Sequence, residues 1–319
     1  MNIKKIGLTA LAGSLVATSA FAGSLSATGS AGINFAGADK GTSANGWTMT
    51  DTVVFSGGGE MDNGMNVTVS FELDNNAVGG SGEYMDSRSV VIDTNGMGTI
   101  TFGGHGGSSA MGAVDDVMPT AYEEPWFGVT TPTKVDGKAA NNMLEYKSPS
   151  MGGATFTATY NQSDAALANS QTSFAIAYSP EMVDGLTVGY ATQEDDSTAG
   201  AANQVDDSTM YAKYVYGSVT VGVQDSEGDS NTDSADIESL GIGVSYAVSD
   251  ELSISYGEHT VEFPNDSTLT DQESSVVSAS YVSGGMTLSA SFGSVDNLNG
   301  STTAANDLDT YEIGVSFAF

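Results

Sequence analysis

From Asp309 to Phe319 the chain alternates with period two: Tyr311, Ile313, Val315, Phe317 and Phe319 fall on one side of an extended backbone, and small or polar residues fall between them. Successive side chains of a strand point to opposite faces, so this segment is greasy on one face only. The pattern recurs along the chain, most clearly in Leu25, Ala27, Gly29, Ala31, Ile33 and Phe35 and again in Met286, Leu288, Ala290 and Phe292. A strand of a soluble sandwich usually carries Lys, Glu and Arg on its second face, whereas here that face is Ser, Thr, Gly and Ala. This suits a barrel wall with lipid outside and a wet lumen inside.

The first residues bear on the compartment. Lys4 and Lys5 precede an apolar stretch from Ile6 to Val16, and Ala20-Phe21-Ala22 places small residues two apart before Gly23. That is the pattern of a secretory signal peptide, with cleavage expected after Ala22 and residues 23–319 forming one barrel domain. The stretch is too short for a membrane anchor, which needs ~20 apolar residues. A mean hydropathy of −0.09 would ordinarily suit a soluble chain. A barrel escapes that rule, because only half of each strand faces lipid. With no cysteine the chain has no disulfide framework and no thiolate metal site. Eight Lys and Arg against 40 Asp and Glu exclude the basic footprint that nucleic acid requires.

Reading for period two yields sixteen strands, the first over residues 24–35 and the last over 309–319. Short turns at Met61-Asp62-Asn63-Gly64, Asn95-Gly96, Pro149 to Gly153, Pro180 to Gly185, Tyr216-Gly217, Ser249-Asp250-Glu251 and Ser283-Gly284-Gly285 alternate with longer segments rich in Asp, Asn, Ser, Thr and Gly. The expected fold is therefore all-β, a 16-stranded antiparallel up-and-down transmembrane barrel with both chain ends on the short-turn side. The longest connection, Gly104 to Asn141, has no clear period. A loop of that length needs a job. Folded inward as the third long loop, it would narrow an open aqueous channel.

The stretch from Ser87-Arg88-Ser89-Val90-Val91-Ile92-Asp93 through Asn95-Gly96 to Thr99-Ile100-Thr101-Phe102-Gly103 resembles the fourth strand, turn and fifth strand of the general porins of Gram-negative bacteria, and more closely their alphaproteobacterial type. The resemblance extends as pattern over the whole chain after the leader. It implies a diffusion channel in the outer membrane, a homotrimer among outer-membrane lipid and lipopolysaccharide, and a C-terminal aromatic, here Phe319, read by the outer-membrane assembly machinery. In that family glycine and then arginine usually follow the fifth strand. Here Gly103 is followed by Gly104, so one wall cation implied by the resemblance is missing.

Arg88 is the chain's only arginine, and its two strand faces are both mixed, so parity alone leaves its direction open. A charge facing mid-bilayer lipid costs about 2 to 4 kcal/mol, and the matching arginine of the porins lines the pore, so Arg88 is expected in the lumen. Asp115, Asp116, Glu123, Glu124 and Asp136 make the long loop acidic, with Pro119, Pro125, Trp126 and Phe127 to stiffen it. On an inward loop these carboxylates would attract cations at the constriction; on an outer loop they would be solvated surface charge. Lys134 and Lys138 soften the acidity without reversing it. Glu72, Glu145, Lys147, Lys213 and Glu312 have the parity opposite to their apolar neighbours and are expected on the lumen wall. Trp47 and Trp126 are expected as interfacial anchors or packing residues.

Asp195-Asp196, Asp206-Asp207 and the run from Asp225 to Asp236 are expected in outer loops as solvated charge, since they lack the spacing of a calcium loop. His105 and His259 are too few for a zinc site. The expected function is a passive, cation-preferring channel for small hydrophilic solutes and ions, with no cofactor, no metal and no nucleic-acid partner. Two other classes stay open. A secreted or surface-exposed acidic β protein of adhesin type would share the composition, although no short solenoid repeat is present. An enzyme would need a nucleophile elbow or HExxH, and neither occurs.

Overall fold

The structure is a computed structural model that describes residues 25–39, 46–74, 85–127, 135–162, 170–196, 205–231, 235–303 and 306–319. Residues 1–22, where the leader is expected, and Lys134 lie outside them. Among the described residues eighteen strands follow in chain order. They are β1 (Ser26–Ala38), β2 (Gly46–Glu60), β3 (Asn66–Asp74), β4 (Met85–Asp93), β5 (Thr99–His105), β6 (Gly107–Ser108), β7 (Ala139–Ala140), β8 (Met143–Lys147) and β9 (Ala154–Gln162). The second half of the chain supplies β10 (Ser170–Tyr178), β11 (Leu186–Asp195), β12 (Val205–Tyr216), β13 (Val219–Ser230), β14 (Ile237–Ala247), β15 (Leu252–Glu262), β16 (Gln272–Ser283), β17 (Met286–Asp296) and β18 (Leu308–Ala318). Sixteen of them close into one antiparallel barrel, and β6 pairs only with β7. Closure leaves no unpaired edge, which is the condition for strands to cross lipid.

The seam lies between β1 and β18, in register from Ser30 opposite Ala318 to Ala38 opposite Thr310. Beyond it, Gly29 N donates to Phe319 O and Phe319 N donates to Gly29 O, both at 2.9 Å. A Cβ on Gly29 would lie 2.8 Å from the Phe319 ring, so the last residue sits where glycine leaves room. The start of β1 and the end of β18 thus meet on the side of the short turns.

The outer face carries the apolar rows. Val221, Val223, Leu240, Ile242, Leu288 and Ile313 are all exposed on it, which in a soluble protein would be untenable and in a bilayer is the lipid contact. Rings frame this band. Tyr214, Tyr216, Tyr246, Tyr281 and Phe319 lie toward the short turns, and Phe35 packs against Trp47 at 5.0 Å and Tyr311 at 6.0 Å toward the long loops. Facing inward are Gln171, Ser173, Gln193, Thr209, Gln272 and Ser291, all buried and polar. The molecule is built inside out, with its hydrogen-bonding groups in the middle.

Several strands run further than alternation suggests. β13 continues to Ser230, and Asp225, Glu227 and Asp229 all point outward and are exposed. β11 and β12 take in Asp195, Asp206 and Asp207, so these residues and the start of the Asp225 to Asp236 run belong to strands and not to outer loops. The ladder outlasts the lipid: backbone pairing continues where the outward residue changes from Val or Ile to Asp or Glu. Above the apolar band the outward carboxylates stand directly opposite one another, Glu194 with Asp206, Asp206 with Asp229, Glu227 with Glu238, Glu238 with Glu262, and Glu273 with Asp296.

Candidate functional site: a loop laid along the lumen wall

The chain leaves β5 at His105 and returns to the wall at Met143. Between these points β6 and β7 pair, Gly107 with Ala140 and Ser108 with Ala139, tying the loop's two ends together. The segment then runs along the inner wall, bonding one strand after another. Ala110 N donates to Thr159 Oγ1 of β9 at 3.1 Å and Met111 N to Ser173 Oγ of β10 at 2.8 Å. Further on, Val117 N donates to Gln224 Oε1 of β13, Ala121 N to Ser255 Oγ of β15 and Glu123 N to Ser278 Oγ of β16. The Tyr122 hydroxyl donates to Glu312 Oε1 of β18, and Thr310 Oγ1 donates to Phe127 O. The long connection is thus an inward loop, and the wall's serines, threonines and glutamines are its docking partners.

Three wall strands make room for it. A Cβ on Gly222 of β13 would lie 2.7 Å from Pro119 Cδ, one on Gly243 of β14 3.1 Å from the same atom, and one on Gly257 of β15 2.9 Å from Pro125 Cγ. Trp126 packs edge-on against His259 with ring centroids 4.9 Å apart, so it braces the loop inside the barrel and is not an interfacial anchor. At the other end Ala110, Met111 and Val135 of the loop bury against Ala175 and Ala191 of the wall. Gly243→Val should lift Pro119 from the wall at a cost of about 1 to 3 kcal/mol for overpacking. A lower unfolding temperature in detergent together with a smaller single-channel current would show it.

The five loop carboxylates are not equivalent. Asp115 is buried and accepts from Gly137 N at 2.7 Å, joining the loop's outgoing and returning limbs. Asp116 and Asp136 are exposed. Glu123 is half-buried, and desolvation, reinforced by the charges of Glu312 and Glu124, raises its pKa to about 7. The Tyr122 hydroxyl is held protonated above its ordinary range, first by burial and then by its bond to Glu312. Glu123, Glu312 and Tyr122 therefore come together where the loop meets the wall.

Register assigns the wall residues. Glu72 of β3 accepts from Thr52 Oγ1 at 3.3 Å and Ser87 Oγ at 2.7 Å on the lumen face. Glu145 stands opposite Thr101 and Thr159, Lys147 opposite Thr99 and Thr157, and Lys213 opposite Gly222, all on that face. Lys138 lies near enough to Asp207 for its charge to be felt there. Arg88 departs from expectation. It stands opposite Phe71, an exposed outward residue, and its side chain lies over Gly104, where an added Cβ would be 3.1 Å from Nε. The lone arginine points away from the lumen. The register explains it: pairing with β3 is unbroken from Ser87 to Asp93, so Arg88 shares the outward face of Val90 and Ile92, while the skipped residues, Asp86 on β4 and Gly104 on β5, lie outside that run.

With this geometry in place, comparison with known proteins decides the family. A family model described as Gram-negative porin matches residues 7–297. The chain belongs to that family. Among solved structures, the anion-selective porin from Comamonas acidovorans superposes with a TM-score of 0.71 at 15% identity, over 93% of this chain and 99% of that one. A variant of the Rh. blastica porin superposes with a TM-score of 0.68 at 15% identity, over 93% and 100% of the two chains. No curated protein matches in sequence. This porin is thus an outer-membrane channel, and the adhesin-type alternative is not favoured. The family's channels are not enzymes.

Proposed function

We propose that this porin is a water-filled pore for passive diffusion of small hydrophilic solutes and ions, with a preference for cations. The observation that carries the reading is the inward loop. Asp116, Glu123, Glu124 and Asp136 ride on it, while Arg88, the cation expected to face it, lies on the outer surface. Among the described residues Lys138, Lys147 and Lys213 remain as lumen cations, set against Glu72, Glu145 and Glu312 as well as the loop. The Comamonas porin is anion-selective on the same fold. The fold therefore does not set the sign of selectivity; the side chains along the lumen do.

The reading extends to biogenesis and assembly. Residues 1–22 act as a leader removed on export, Phe319 is the mark that the assembly machinery reads, and the mature barrels associate as a homotrimer in contact with outer-membrane lipid and lipopolysaccharide. Phe319 supports this, being 74% exposed at the barrel's end while its backbone closes the seam. Planar-bilayer recording of the refolded mature chain in a KCl gradient tests the central statement. A reversal potential of the sign for potassium is expected, and one of the sign for chloride would overturn it.

A further inference from the structure

Within β1 to β5 the outer face bears two charges among the described side chains, Arg88 on β4 and Asp51 on β2. Arg88 is ringed by Phe71, Leu73, Met85, Val90 and Phe102. Asp51 stands opposite Ala31, between the outward Met49 and Val53. Neither charge suits a lipid contact.

They cannot satisfy each other within one chain. Arg88 is level with Phe71 and hence with Phe55 of β2, while Asp51 lies four residues further along that strand. Two strand spacings across and four residues along separate their Cα atoms by about 16 Å, beyond the joint reach of the two side chains. Beside them part of the same face is nearly bare backbone, since Ala27, Gly29, Ala31, Gly57 and Gly59 have outward parity. A neighbouring wall can approach such a face closely. Opposite charges offset on one face are complementary to a second copy of that face and leave a lipid chain unable to answer either.

We infer that this face docks a second copy of the chain, and that the Arg88 guanidinium of one protomer pairs with the Asp51 carboxylate of the next. The inference rests on the homotrimer proposed above and names the contact inside it. Gly104 belongs to the device, because the absence of its side chain lets the Arg88 stem lie flat along β5.

Charge reversal tests it. Wild type, R88E, D51K and the double variant R88E/D51K are purified in mild detergent and compared by light scattering and by the temperature at which the oligomer dissociates. Each single reversal should lose the oligomer at temperatures where wild type keeps it, and the double reversal should regain it. Conductance of each variant reports whether its barrel is folded. A monomeric wild type would overturn the trimer and this pairing together. An oligomeric wild type whose single reversals dissociate like wild type would overturn the pairing alone.

Discussion

Replacing Asp116, Glu123, Glu124 and Asp136 by their amides should lower the cation-to-anion permeability ratio several-fold, measured as reversal potential in a KCl gradient. A carboxylate about 5 Å from a permeating ion contributes roughly 0.8 kcal/mol at water's dielectric constant, with opposite sign for cation and anion. Two such groups already change the ratio by more than tenfold before screening. Neutralising Glu227, Glu238, Glu262 and Glu273 removes the same formal charge from the outside of the wall, where the register places it. Ions in the lumen are separated from that surface by more than the ~8 to 10 Å over which physiological salt screens exposed charge, so little change is expected. Equal shifts from the two sets would show that diffuse charge, and not the loop, governs the pore. Asp115 is kept out of the first set because it holds Gly137 and acts on the loop's shape.

The second large effect should come from pH. Glu123 has its pKa raised from 4.5 to about 7, so it is largely neutral at pH 5 and largely ionised at pH 8. Cation preference should therefore rise between those values, and Glu123→Gln should remove most of the rise while leaving the pH 5 value nearly unchanged. The linkage has the opposite sign for stability. A carboxyl whose folded pKa exceeds its unfolded value binds more protons folded than unfolded between the two, so stability falls as pH rises from about 4.5 to 7. The loop is seated most firmly in acid, where the pore is least selective. A wild-type reversal potential that stays flat from pH 5 to 8 would show that Glu123 does not meet the permeating ions.

Much of this architecture was legible because barrel strands announce themselves by period two. β9 and β14 have the boundaries that alternation assigns, 154–162 and 237–247. The signal failed wherever the outward residue stopped being apolar: nothing in Asp225 to Ser230 distinguishes a strand above the lipid from a solvated loop, since a ladder needs only backbone. The inward course of the long loop was foreseen from its length, but its path was not. Gly222, Gly243 and Gly257, spaced along three strands at lumen parity, were the available clue, because a wall has no reason to be bare unless something lies on it. Arg88 was misplaced for a more instructive reason. An energy argument about isolated charges favoured the lumen, while Gly104, noticed only as a missing cation, was the seat that its side chain occupies.

The carboxylates that face one another on the outside of β11 to β17 bear on how deep the protein rides. They sit where the apolar band ends, and no described outward cation lies among them. Sinking the barrel by a single residue's rise would carry several of them toward hydrocarbon at once, while raising it would strip lipid from Val223, Leu240 and Ile242. The ring works as a waterline. Mutations that erase it should let the molecule bob and tilt without altering a single backbone hydrogen bond.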